Sequence, residues 1–263
     1  EIDMTYQSTG EFIEVLTAMD WKQSEAITAA TLAIRFNQTN APYDDVKVRQ
    51  ALTMAVDNAV VLELGYAGYG TVAENHHVCP VHPDYAEIPA IPTDTEKARA
   101  MLEEAGHADT VFELISIDDQ WISETCDAVA AQVRDAGINI ERKILPGSTF
   151  WNDWLSYPWS ATDWAMRPLG VQVLSLAYKS GVPWNESAMS NPEFDALLAE
   201  ALSIADADKR KDVMAKLEQI MLDEGVMIQP YWRSLYNHAK PEVMGADMHP
   251  SIELHHYKWW IDA

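Results

Sequence analysis

The chain has 263 residues, 48% of them apolar, and a formal charge of −23 from 41 acidic and 18 basic side chains. That length can bury one large core or two small ones, and no apolar run approaches the roughly 18–20 residues needed to span a bilayer. The acidic balance argues against a nucleic-acid binder, since a phosphate backbone would be repelled; it fits a solvated acidic surface better than a trap for cations.

Leu32–Asp57 reads as a strand ending in Phe36-Asn37, a polar turn with Pro42, and a helix opened by Asp44-Asp45. The apolar face of that helix is Val48, Leu52, Ala55, Val56 and Ala59. A long loop from about Gly65 to Thr93 carries Pro80, Pro83, Pro89 and Pro92, and a loop of that length implies a functional or wrapping segment. Thr93 and Glu96 form a capping box for a helix that buries Ala98, Met101, Leu102 and Ala105 and stops at Gly106. A strand at Val111–Ile117, a helix from Ile122 to Ala136 and a strand at Ile138–Ile144 make a β-α-β unit with parallel strands. Asn191-Pro192 opens a helix with Phe194, Leu197, Leu198, Ala201 and Leu202 inward. Another helix runs from about Asp208 to Glu224 along Val213, Leu217, Ile220 and Met221. Met227–Tyr231 and Leu235–Ala239 are expected as a closing hairpin. The fold class is α/β.

The residue order adds more. Phe36 to Asp57 resembles the "fN...pPf.D..vRqAl..AiD" signature of the family 5 extracytoplasmic solute-binding proteins, the dipeptide, oligopeptide and nickel type. Glu1-Ile2-Asp3 is similar to that family's "GeiD", Thr95–Gly106 to its "dpekAkaLLaEAG", and Gly137–Ile140 to its "lGI.v". Asn191–Leu198 is similar to its "np.fDaLl", and Val243–Gly245 to its closing turn. The resemblance covers nearly the whole chain and implies the second half of a longer protein, with the export signal upstream. It implies the second lobe of a two-lobed periplasmic-binding (type II) fold, a mixed sheet flanked by helices. Residues 1–31 would return from the first lobe, 32–230 would form the ligand-binding lobe, and 231–263 would lead back. The implied function is periplasmic capture of a small peptide-like or anionic solute for an ABC-importer permease, by a monomer that is not itself membrane-spanning.

Trp151–Pro168 holds four tryptophans, Trp151, Trp154, Trp159 and Trp164. Indoles could simply fill a core. Their density among prolines and polar groups instead suggests a ligand wall, because Trp supplies rigid surface at little entropic cost. Peptide-binding members of the family have a "gW.aDy..P" motif whose Asp pairs with the ligand's ammonium. Here Trp164 matches the Trp, and Arg167 stands at the Asp position. That reverses the anchoring charge: a guanidinium repels an ammonium and grips a carboxylate or phosphate in two-pronged fashion. The bland alternative has Arg167 facing solvent or paired with Asp163. Trp184 and Asn185 are further candidates, Asn185 offering a donor and an acceptor, against a loop that merely packs. Arg49 is expected in a structural ion pair.

His76, His77, Cys79 and His82 form an HHxCxxH cluster that could hold zinc, copper or nickel, which keeps a metal-dependent hydrolase open as an alternative. The spacing is not a standard motif, and a loop of exposed histidines is the simpler expectation. A sensory ligand-binding domain is the third class. Cys126 falls on a core helical face, and a disulfide to Cys79 is permitted but not fixed by two positions. No nucleophile elbow, zincin motif, phosphate loop or dinucleotide turn is present, so no enzyme activity and no cofactor are expected.

Overall fold

The computed structural model describes residues 2–262, so Glu1 of the opening motif lies outside the described residues. A short helix, α1 (Glu11–Ala18), leads into β1 (Lys22–Phe36), a strand of 15 residues. Positions 1–31, expected as connector, therefore contain a helix and the greater part of a strand. Every residue from Thr28 to Phe36 is buried, which requires cover on both faces of the sheet.

Helix α2 (Val46–Met54) opens as the sequence predicts, with the Asp45 carboxylate accepting from the Lys47 N–H at 2.8 Å. It stops sooner than expected. Asp57 caps a separate helix, α3 (Asn58–Tyr66), and the Gln132 amide fixes the break by bonding both the N–H and the C=O of Asp57, at 2.9 and 3.1 Å. Ala59, expected inward, is exposed as a result. Arg49 makes the expected structural pair, to Glu224 at 2.8 Å.

After β2 (Gly70–Val72), residues 73–94 run without helix or strand. Asp84, fully buried, ties this segment down. Its oxygens accept from the Gly170 and Val171 N–H groups at 2.9 and 3.1 Å and from Arg210 at 3.1 Å. Helix α4 (Thr95–Glu104) is capped by Asp94, not Thr93: Asp94 accepts from Lys97 N–H at 2.9 Å, while the Thr93 hydroxyl donates to the Val56 carbonyl. Two acceptors compete for one helix start, and the one whose reach falls on the N3 donor wins.

The β-α-β unit is present as β3 (Phe112–Ile117), α5 (Gln120–Asp135) and β4 (Ile140–Leu145), with Phe112 to Ile117 parallel to Ile140 to Leu145. Then come α6 (Gly147–Asp153), β5 (Trp159–Trp164), α7 (Gly170–Ala177), α8 (Pro192–Ser203) and α9 (Ala207–Asp223). Asn191 caps α8 through the Glu193 and Phe194 N–H groups. Leu202, expected inward, is 53% exposed, so the buried stripe of α8 is narrower than its apolar face.

The closing hairpin is not formed. Strands β6 (Met227–Ile228) and β7 (Tyr231–Ala239) run in the same direction, both antiparallel to β1. Tyr231–Ser234 has none of the Gly, Asn or Asp residues a tight hairpin turn requires, and β1 is long enough to pair both pieces. A small ribbon of β8 (Val243–Met244) and β9 (Trp260–Ile261) completes the strands.

The main sheet has the order β2-β7-β1-β5-β3-β4, with β6 beside β1. Pairing is parallel among β5, β3 and β4 and antiparallel elsewhere. Helices α2 to α5 pack on one face around Leu32, Ile34 and Phe36, and α7 to α9 pack on the other around Ala33. It is a mixed α/β sheet flanked by helices. Cys79 and Cys126 are both free and buried, in separate clusters, so the disulfide left open by the sequence is not made.

Candidate functional site

The site forms where β5 leaves the sheet. Side chains alternate along a strand, so Trp159 and Trp164, an odd number of positions apart, take opposite faces. Trp159 is fully buried, with its ring 5.2 Å from Phe36 and 6.1 Å from Tyr43. That corrects its expected place in a ligand wall: Trp159 is core.

Trp164 faces the other layer and is held from behind. Its Nε1 donates to Glu186 Oε1 at 2.8 Å, and the Thr162 hydroxyl donates to the same oxygen at 2.5 Å. The other oxygen of Glu186 takes the Arg35 Nε at 3.1 Å, and Arg35 also donates to the carbonyls of Tyr157 and Trp154. Arg35 and Glu186 are both buried, a charge pair satisfied on all sides. His77 packs edge-on to the Trp164 ring at 5.5 Å. Burial, reinforced by His82, His76 and Arg167, lowers the His77 pKa to about 3, so this imidazole is neutral.

In front of Trp164 is an open cavity of about 460 Å³ with Trp151, Trp154, Asp163, Arg167 and Trp184 around it. Trp151 and Trp184 are about half exposed, and Trp184 meets Trp164 edge-on at 5.9 Å. Trp151, Trp164 and Arg167, from one short segment, and Trp184, from the loop after α7, are thus brought together. Arg167 bonds through Nη1 to the carbonyls of Ala165 and Met166, at 2.9 and 3.2 Å. Among the described residues it makes no ion pair, so the pairing with Asp163 is not formed. Its own carbonyl accepts from His82 Nε2 at 3.0 Å, because His82 Nδ1 is already the acceptor for the Cys79 N–H.

Asn185 does not offer a free amide. Its Nδ2 donates to the carbonyls of Lys179 and Met189, and its Oδ1 accepts from the Ser187 hydroxyl and the Met189 N–H. It shapes the loop that carries Trp184 and Glu186.

The histidine segment is not an exposed loop either. His76, His77, Cys79 and His82 are all buried, with His76 beside Glu74, His77 against Tyr178, and His82 accepting from the Cys79 N–H. Burial also pushes the Cys79 thiol up to about 12. The ligand atoms that converge among the described residues belong to His249, Glu253 and His255 instead.

Sequence reasoning counted Trp154 in the aromatic stretch without singling it out, and gave no sign of a second cavity of about 420 Å³ beside the first. Trp151 and Asp163 line both. The second is bounded by Gly10, Ile117, Asp119, Trp121 and Arg233. The available signal was topological: ligands of open α/β sheets gather outside the carboxyl ends of the strands, and β3 ends at Ile117 and β5 at Trp164.

The family described as bacterial extracellular solute-binding proteins, family 5 (middle region), matches residues 1–186. Among curated relatives, heme-binding protein A of Haemophilus influenzae is 30% identical over 217 residues, covering 74% of this chain and 38% of that protein. The glutathione-binding protein GsiB of Pectobacterium atrosepticum is 29% identical over 208 residues, covering 70% and 39%. Among solved structures, the oligopeptide-binding protein AppA of Bacillus subtilis, in complex with a nonapeptide, superposes with a TM-score of 0.86 at 20% identity, over 100% of this chain and 56% of that one. NikA of Staphylococcus aureus, in complex with Ni(L-His)2, gives 0.85 at 18% identity, over 99% and 57%. The chain spans about two fifths of the curated relatives' length and just over half of the solved chains.

Proposed function

The chain belongs to the family 5 extracellular solute-binding proteins, a family of binding proteins and not of enzymes, and from that premise we propose that it supplies one wall of a cleft that captures a peptide-like or anionic solute for an ABC importer. Residues 32–230 form the ligand-binding lobe in this reading, and the flanking segments lead to a second lobe outside this chain. The pairing of Lys22–Ile27 with Ser234–Ala239 supports it, since the two flanking segments run side by side. The protein works as a monomer outside the cytoplasm, where the two lobes close on the solute and the permease engages the closed form.

One observation carries the reading: Arg167, a guanidinium without a carboxylate partner among the described residues, stands at the rim of an aromatic cavity whose central ring, Trp164, is fixed from behind by Glu186. Indole faces take up flat apolar portions of a solute, and the guanidinium grips an oxyanion in two-pronged fashion. Heme and glutathione, named for two of the relatives, both carry two carboxylates. One wall leaves most of a solute in water, so the isolated half binds no tighter than about millimolar.

The test is native mass spectrometry of the full-length exported protein. A co-purified acid that is lost in Arg167→Ala supports the proposal. An acid retained at equal occupancy in that variant refutes the anchor, and a full-length protein that never carries a small molecule refutes the capture reading.

A further inference from the structure

Arg233, near the start of β7, is 7% exposed yet makes no ion pair among the described residues. Its Nε donates to the Tyr66 hydroxyl at 3.1 Å, and its guanidinium carbon lies 3.9 Å from the Trp121 ring centroid and 5.4 Å from that of Tyr66. The two rings hold the guanidinium plane by attraction of the cation to their π faces. Among the described residues neither terminal amino group bonds to a protein atom, neither is among the sealed, unpartnered polar atoms, and Arg233 lines the cavity of about 420 Å³.

A buried cation with two free amino groups, held in a fixed orientation, is completed by an oxyanion. The first turn of α5 borders the same cavity. Asp119, at its N-cap, makes no capping bond to it, so the backbone donors at the positive end of a 16-residue helix are not taken by that side chain. Asp119 and Asp163 also line the space, but both are exposed and screened by water. They disfavour a bare polyanion and suit a ligand with a donor group near its oxyanion.

We infer that Arg233, framed by Trp121 and Tyr66, is a second oxyanion subsite of the cleft, continuous with the Arg167 cavity through Trp151 and Asp163. The solute then carries two oxyanion groups set apart, one on each guanidinium. This rests on the solute-cleft reading above and narrows its ligand to a carboxylate or phosphate at both ends.

The experiment is isothermal titration of the full-length protein with glutarate and with inorganic phosphate, using uncharged glutaramide as control. Saturable binding of at least one anion is expected, weakened about tenfold in Arg233→Gln and less in Arg233→Lys, which keeps the charge but loses the planar fork. The tighter of the two probes distinguishes a carboxylate from a phosphate ligand. If Arg233→Gln does not fold, as judged by circular dichroism, the Arg233→Lys comparison decides. Equal affinity in wild type and variant, or no heat from either anion up to ~10 mM, overturns the subsite. Loss of the co-purified acid in Arg167→Ala, with Arg233 variants unaffected, would sink the subsite and leave the capture reading standing.

Discussion

The indole N–H of Trp164 donates to Glu186 at 2.8 Å, and the second oxygen of that carboxylate holds Arg35 at 3.1 Å. The ring facing the cavity is therefore oriented by a buried ion pair, and the stability of this lobe and the shape of its cavity share one carboxylate.

Glu186→Ala removes the partner of a guanidinium that burial already pushes below the usual arginine range and that Glu186 steadies. An uncompensated buried charge costs roughly 3–5 kcal/mol. Urea unfolding of the full-length protein should show a loss of that order, together with a weaker grip on solute. Glu186→Asp, shorter by one methylene, should recover part of the stability while leaving Trp164 loose. If Glu186→Ala unfolds with the wild-type midpoint, the ion pair does not support the site.

Trp159 of β5 and Trp184 should separate stability from binding. Trp159→Ala opens a hole in the core against Phe36 and Tyr43, at a cost of about 3–5 kcal/mol, with solute affinity of the folded fraction retained. Trp184→Ala, at a half-exposed position on the cavity, should change stability by less than about 1 kcal/mol. It should weaken solute binding severalfold. Paired denaturation and titration curves check both, and the reverse pattern would return Trp159 to the wall.

Glu218 gives the lobe a pH dependence. It is fully buried on α9, with the His76 Nδ1 3.7 Å away and Glu74 and Asp84 nearby. Burial first, then the repulsion of those two acids, raises its pKa to about 9. The folded state keeps this proton to higher pH than the unfolded state, whose glutamate ionises near the ordinary value of about 4.3. This contribution to stability is therefore fully present below about pH 4 and is lost progressively as pH rises toward 9. Glu218→Gln removes the titration, so its melting temperature relative to wild type should climb between pH 6 and 9. A parallel offset at all pH values would mean that Glu218 does not carry the proton.

The caps and periodicities of the helices were legible in the sequence because they depend on residues a turn away. Asp45, Asn191 and Gly106 mark helix ends through their own side chains or backbone freedom, and the β-α-β unit follows from local alternation and spacing. The resemblance at Phe36–Asp57 identified the family for the same reason, since that segment is contiguous. What local reasoning missed were contests between neighbours or distant partners. Asp94 outcompetes Thr93 for one cap, and Gln132 on α5 fixes the break between α2 and α3 by bonding Asp57. The absent hairpin depends on β1 being long enough to pair both β6 and β7.

The same division holds for the site. Sequence supplied the aromatic density and the reversed charge at Arg167, both of which belong to one short segment. Only the tertiary structure decided that Trp159 is core, that Asn185 is spent on its own loop, and that the histidine segment is buried. It alone brings Arg233 of β7 against Trp121 of α5. Strand register decides which face a side chain takes, and register is set by pairing with β1, more than a hundred residues away from β5 and β7 in the chain.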